Sequence, residues 1–217
     1  MGFTGFPDEA FVFYEGLEAD NTKTYFTRHR HLYEEAVRAP MLALTDELAA
    51  EFGQAHLFRP HRDVRFAKDK SPYKTHQGAF VDRMPGIGLY VQIGADGLFT
   101  AGGCYTQAPD QIARYRAAVA EDLSGEPLEA VVASLRAAGY EQGGDRLKTR
   151  PRDYPPDHPR IDLLRHRSLH AGRRFPPEPW IHTKEVVERV REGWRAYAPL
   201  VDWLATHVRG SELPRRR

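Results

Sequence analysis

The chain has one cysteine, Cys104, in 217 residues. A single thiol excludes an internal disulfide framework and a four-cysteine zinc site. No apolar run approaches the ~18 residues that a transmembrane helix needs. The first residues, Met1-Gly2-Phe3-Thr4-Gly5, carry no basic or apolar segment of the secretory kind. There is no excess of charge of either sign: 31 Lys+Arg against 30 Asp+Glu give +1. A bulk electrostatic pull on nucleic acid is therefore not implied. No G-x-G-x-x-G after a strand and no G-x-x-x-x-G-K-[ST] is present, which argues against Rossmann and Walker-type nucleotide sites. These absences lead to the expectation of a soluble, cytoplasmic protein with no membrane partner.

What is there is an ordinary globular composition, 41% hydrophobic and 28% charged. A chain this long can bury on the order of 70% of the surface that its unfolded form exposes. No repeat or low-complexity linker divides it. The expectation is a single domain over 1–217, with 209–217 as a disordered tail ending in Arg215-Arg216-Arg217.

The charge is unevenly placed. Residues 1–58 hold ten acids and four Lys/Arg, net −6. Arg59 to His76 holds six Lys/Arg against Asp63 and Asp69, net +4. Asp145 to Arg174 holds nine Lys/Arg against four Asp, net +5. Arginine outnumbers lysine 25 to 6, yet Lys68, Lys70 and Lys74 fall within seven residues.

Hydrophobic period assigns the elements. Pro7-Asp8-Glu9 opens a short helix with Phe11, Tyr14 and Leu17 on one face. Asp20 or Asn21 caps a longer helix, interrupted at Pro40, and a third runs to Gly53. Strands are expected at 55–66 and 74–82, then Leu89–Ile93, a Gly94-Ala95-Asp96-Gly97 turn and a return strand. Helices follow from Pro109 and around Leu128. A long apolar stripe from His182 to Val208 makes the last helix, and Trp180, Trp194 and Trp203 read as core packing. The class is α+β: a central, largely antiparallel sheet (about 55–105 plus strands near 147–154 and 168–175) between N-terminal and C-terminal helices.

The densest polar run is Arg59 to His76. If its two strands pair, alternation puts Asp63, Arg65, Lys74 and His76 on one surface. Two readings fit. In the first, Arg62, Arg65, Lys68, Lys70 and Lys74 bind an anion, with Arg59, Arg150 and Arg152 at its margin. Asp63, Tyr73 and His76 are then the candidates for proton transfer. In the second, the charges form a ladder of cross-strand ion pairs. His61, Asp63 and His76 lack the spacing of a metal motif, and the sequence names no cofactor. Cys104 reads as a buried structural thiol.

The run Arg62-Asp63-Val64-Arg65-Phe66-Ala67-Lys68-Asp69-Lys70-Ser71-Pro72-Tyr73-Lys74-Thr75-His76 resembles the R-D-x-R-F-x-K-D-K-x-P-Y-K-x-H signature of the domain of unknown function 2461 family. Gly88–Ile93, Gly102-Gly103-Cys104-Tyr105, Pro109–Arg116 and Leu147–Pro159 agree with it, so the resemblance spans about residues 6–208. It implies that the signature residues act as one unit. It carries no reaction, cofactor or catalytic residue. The functional expectation is an anion-binding cleft for a small phosphorylated or carboxylated ligand. The alternatives are a nucleic-acid-binding module and a protein-interaction domain whose basic cluster is structural. The sequence does not set the oligomeric state.

Overall fold

A computed structural model describes residues 2–65 and 69–213. The helices α1 (Asp8–Ala19), α2 (Lys23–Arg28) and α3 (Arg30–Leu32) lead through a π-helical turn, Tyr33–Arg38, into α4 (Ala39–Phe52). The strands β1 (His56–Leu57), β2 (His76–Met84), β3 (Ile87–Gly94) and β4 (Gly97–Cys104) follow. Then come α5 (Pro109–Ala120), α6 (Asp122–Ala137), β5 (Glu141–Gly143), α7 (Ile161–Leu164) and β6 (Leu169–Phe175). A 3-10 turn (Pro179–His182) precedes α8 (Glu185–His207). The six strands form one antiparallel sheet in the order β1-β2-β3-β4-β6-β5. The α+β expectation is met.

The chain groups into two compact units. The first takes in 1–81, 90–100 and 174–192, and the second 82–89, 101–173 and 193–217.

In the first unit the aromatic content of the N-terminal helices becomes a core. Phe13 packs edge-on against Tyr14 and Phe26, with ring centroids 5.1 and 5.9 Å apart. Phe26 in turn meets Tyr33 at 5.3 Å. The helix cap falls one residue later than the sequence reading: Thr22 accepts from the Tyr25 amide at 3.1 Å. Asn21 is left free for a long-range role described below. Pro40 does not break the helix. It sits in the first turn of α4, where a missing N–H is tolerated.

Two expected strands are corrected. The 55–66 strand is only His56–Leu57, paired to β2 as His56↔Phe80 and Leu57↔Ala79. Pro60 removes a donor, and Asp63 takes the Arg65 amide at 3.2 Å, so the chain turns away from the ladder. The 147–154 segment is a loop. Pro151 removes a donor, and the Arg150 guanidinium folds back onto the carbonyls of Arg152 and Tyr154 at 3.2 and 2.7 Å. The strand on the outer side of β6 is instead β5, in register Gln142↔Ala171.

In the second unit Gly102 and Gly103 set how closely the backbone packs. A Cβ on Gly102 would lie 2.4 Å from the Tyr197 Cβ. A Cβ on Gly103 would lie 2.4 Å from the Leu169 carbonyl oxygen and 2.5 Å from the His170 Cα. Gly103 also has φ +143°, a region that side chains rarely adopt. The glycine pair serves packing. Residues 209–213, expected to be part of a tail, are tied to α5. Gln111 donates to the Arg209 carbonyl, Arg114 to those of Val208 and Gly210, and Asp110 accepts from the Glu212 amide. Among the described residues no helix is long and apolar enough to cross a membrane.

Candidate functional site

The signature run folds as a loop on a narrow base. A single antiparallel bridge, His61↔Tyr73, closes it. Two backbone bonds flank the bridge, Arg62 N to Pro72 O at 2.9 Å and Lys74 N to Pro60 O at 2.8 Å. Beyond Arg62 the strands diverge. Asp63 and Arg65 then pair with each other: Arg65 Nε and Nη2 reach the Asp63 carboxylate at 3.0 and 2.7 Å. The Arg65 side chain holds the Asp63 carboxyl down to about 2. Asp69 caps the other limb, accepting from the Ser71 amide and hydroxyl at 2.9 and 2.7 Å and from Arg62. The Lys70 ammonium donates to the Val64 carbonyl at 3.0 Å. Lys68, a candidate anion ligand, lies outside the described residues.

The expected surface shared by Asp63, Arg65, Lys74 and His76 is therefore not formed. Alternation requires a ladder, and the ladder ends one residue past the bridge. Local turn chemistry takes Asp63 and Arg65 instead.

Tyr73 is 5% exposed and lies flat on Phe26, centroids 4.2 Å apart and planes 5° apart. Its phenol ring is thus part of the aromatic core. Arg150 holds its own loop in the second unit, and Arg152 is exposed there.

A different set of cations gathers at the base of the loop. The Lys74 ammonium donates to the Arg59 carbonyl at 3.1 Å and sits 5.0 Å over the Phe58 ring. Its pKa is lowered by burial and by the neighbouring Arg59 and Arg62 charges. His76 opens β2, and its imidazole is lowered by burial, then by Lys74, Arg62 and Arg174. Arg174 stands 4.8 Å over Phe99. Among the described residues no carboxylate pairs with Arg59, Lys74 or Arg174. His76 and Arg174 also border a cavity of about 70 Å³ with Gln92, Glu18 and Asp96. Burial and the Asp96 charge raise the Glu18 carboxyl there.

Cys104 is fully buried, and burial pushes its thiol up to about 11. Its sulfur donates to the Thr106 carbonyl at 3.3 Å. It is a structural thiol, as expected from the sequence. Sequence reasoning missed Arg174, which is far from the signature in the chain. Its only signal was membership of the second basic block.

The chain matches the family model described as a conserved hypothetical protein, DUF2461, over residues 9–203. It belongs to that family. A comparison with curated proteins gives no match.

Proposed function

We propose that this protein binds a small anion, a phosphate or carboxylate group, through Arg59, Lys74, His76 and Arg174. One observation carries the reading: at the base of the loop Arg59, Lys74 and Arg174 have no paired carboxylate among the described residues. Lys74 is depressed by Arg59 and Arg62, and His76 by Lys74, Arg62 and Arg174. Holding cations together costs free energy that an anion among them recovers. Arginine supplies a planar fork and lysine a point charge.

The pairing of Arg62 with Asp69 and of Arg65 with Asp63 supports reading those arginines as part of the loop's own structure. Of the three candidates for proton transfer, Asp63 stays ionised at neutral pH and Tyr73 is packed in the core. His76, depressed and so neutral at pH 7, retains a basic nitrogen.

The test is to follow the His76 imidazole by NMR while inorganic phosphate or acetate is added. The expected result is a saturable rise in its pKa, lost in Lys74→Met and Arg174→Gln variants. A His76 signal indifferent to both anions at millimolar concentration overturns the proposal.

A further inference from the structure

The second unit holds a cavity that the signature run does not reach. It is an open cleft of about 470 Å³ bordered by Tyr105, Gln107, Ile112, Ser168 and His170. We infer that this cavity is a second binding site, for a flat heterocycle with an adjacent hydrogen-bond donor and acceptor, the chemistry of a nucleobase.

Gln107 is the central residue. It is 9% exposed, and among the described residues neither its Oε1 nor its Nε2 has a nitrogen or oxygen hydrogen-bond partner. Its amide lies beside the Cys104 sulfur and acts on that thiol as a weak hydrogen-bond partner, which leaves most of the polar capacity of the amide unused. A buried amide left unpaired costs free energy that only a partner recovers. A carboxamide presents a donor and an acceptor side by side in one plane, which matches the edge of a lactam or an amino-substituted ring. The His170 Nδ1 is a second buried atom without a partner on the same cavity.

The walls fit a flat ring. Tyr105 is 80% exposed. Its ring centroid lies 6.1 Å from that of His170, with the planes tilted by 35°. A ring sandwiched between them needs about 7 Å. Tyr105, held by little, has only to move outward slightly. Ile112 adds an apolar wall. The charges at the rim neutralise one another, since Arg167 Nη2 meets Asp145 at 2.7 Å. A neutral ring suits that rim better than an anion, which separates this site from the cationic one. The volume lies within the range of small-molecule pockets.

The test titrates adenosine, guanosine, cytidine and uridine separately to millimolar concentration, observing the Gln107 side-chain amide by NMR. At least one nucleoside is expected to shift it saturably. Gln107→Leu and Tyr105→Ala are each expected to weaken that nucleoside about tenfold or more. Without ligand, Gln107→Leu should melt above the unsubstituted protein, since it removes an unpaired amide. Tyr105→Ala should melt with it, its ring being exposed. Inorganic phosphate should not compete, and failure here leaves the anion reading untouched. Three results overturn the inference: no saturable shift with any nucleoside, equal affinity in both variants, or a lower melting point for Gln107→Leu.

Discussion

Asn21 grips the backbone of Tyr73 from both sides. Its Nδ2 donates to the Tyr73 carbonyl at 3.0 Å, and its Oδ1 accepts from the Tyr73 amide at 3.1 Å. One side chain thus satisfies a residue 52 positions away in the chain. It does so because His61 and Tyr73 form a non-hydrogen-bonded pair of the bridge, which leaves the Tyr73 amide and carbonyl for Asn21. The stack of Tyr73 on Phe26 fixes the same point from the other side. Together they anchor the base of the signature loop, and with it Lys74 and His76.

The first prediction tests that anchor. Asn21→Ala leaves an amide and a carbonyl of a buried residue unpaired, which costs about 1–3 kcal/mol. Chemical denaturation should show that loss, and hydrogen exchange should show faster exchange at the Tyr73 and Lys74 amides. Unchanged exchange would mean that the aromatic stack alone holds the loop.

The second separates the loop's internal pairs from the proposed anion ligands. Arg65→Ala should leave phosphate affinity within about twofold, because its guanidinium is committed to Asp63. Lys74→Met should lower that affinity about tenfold, a loss of ~1.4 kcal/mol. Calorimetric titration of both variants gives the comparison, and the reverse order would return Arg65 to the binding set.

The third concerns pH. Burial lowers the imidazoles of His166 and His170 from the ordinary 6.5. Below pH 6.5 the unfolded chain therefore takes up protons that the folded chain refuses. Stability is full above 6.5 and falls as the pH drops toward the folded values, by up to about 1.4 kcal/mol per pH unit for each histidine. Denaturation at pH 7.5, 6.5 and 5.5 should show the decline, and His166→Asn should reduce its slope. A slope identical in the variant would assign the decline to other groups.

The fourth addresses the glycine pair. Gly103→Ala places a methyl group 2.4 Å from a backbone oxygen at a φ of +143°. Neither the contact nor the dihedral relaxes cheaply, so a loss of roughly 3 kcal/mol or more is expected. A thermal melt within a degree or two of the unsubstituted protein would show that the strand shifts freely.

Much of this architecture was legible in the residues. Phe11, Tyr14 and Leu17 declare α1 by their spacing, Pro109 declares the start of α5, and Gly94-Ala95-Asp96-Gly97 gives the β3–β4 turn. Such signals are local: a period, a missing donor or a permissive φ acts within a few residues whatever surrounds it. The signature run was legible as a unit, and the chain's family with it. Which charge meets which was not. Asp63 has Arg62 and Arg65 on either side in sequence, and only the backbone path decides that Arg65 takes it and Asp69 takes Arg62. That path depends on Asn21 and Phe26, far away in the chain. Tyr73 has the residue type of a catalytic group, but the tertiary structure seats it in an aromatic core. Arg174 carries only its place in a basic block, and the buried amide of Gln107 carries no local signal. Their meaning comes from what lies beside them after folding, because charge and hydrogen-bond satisfaction are properties of neighbours in space.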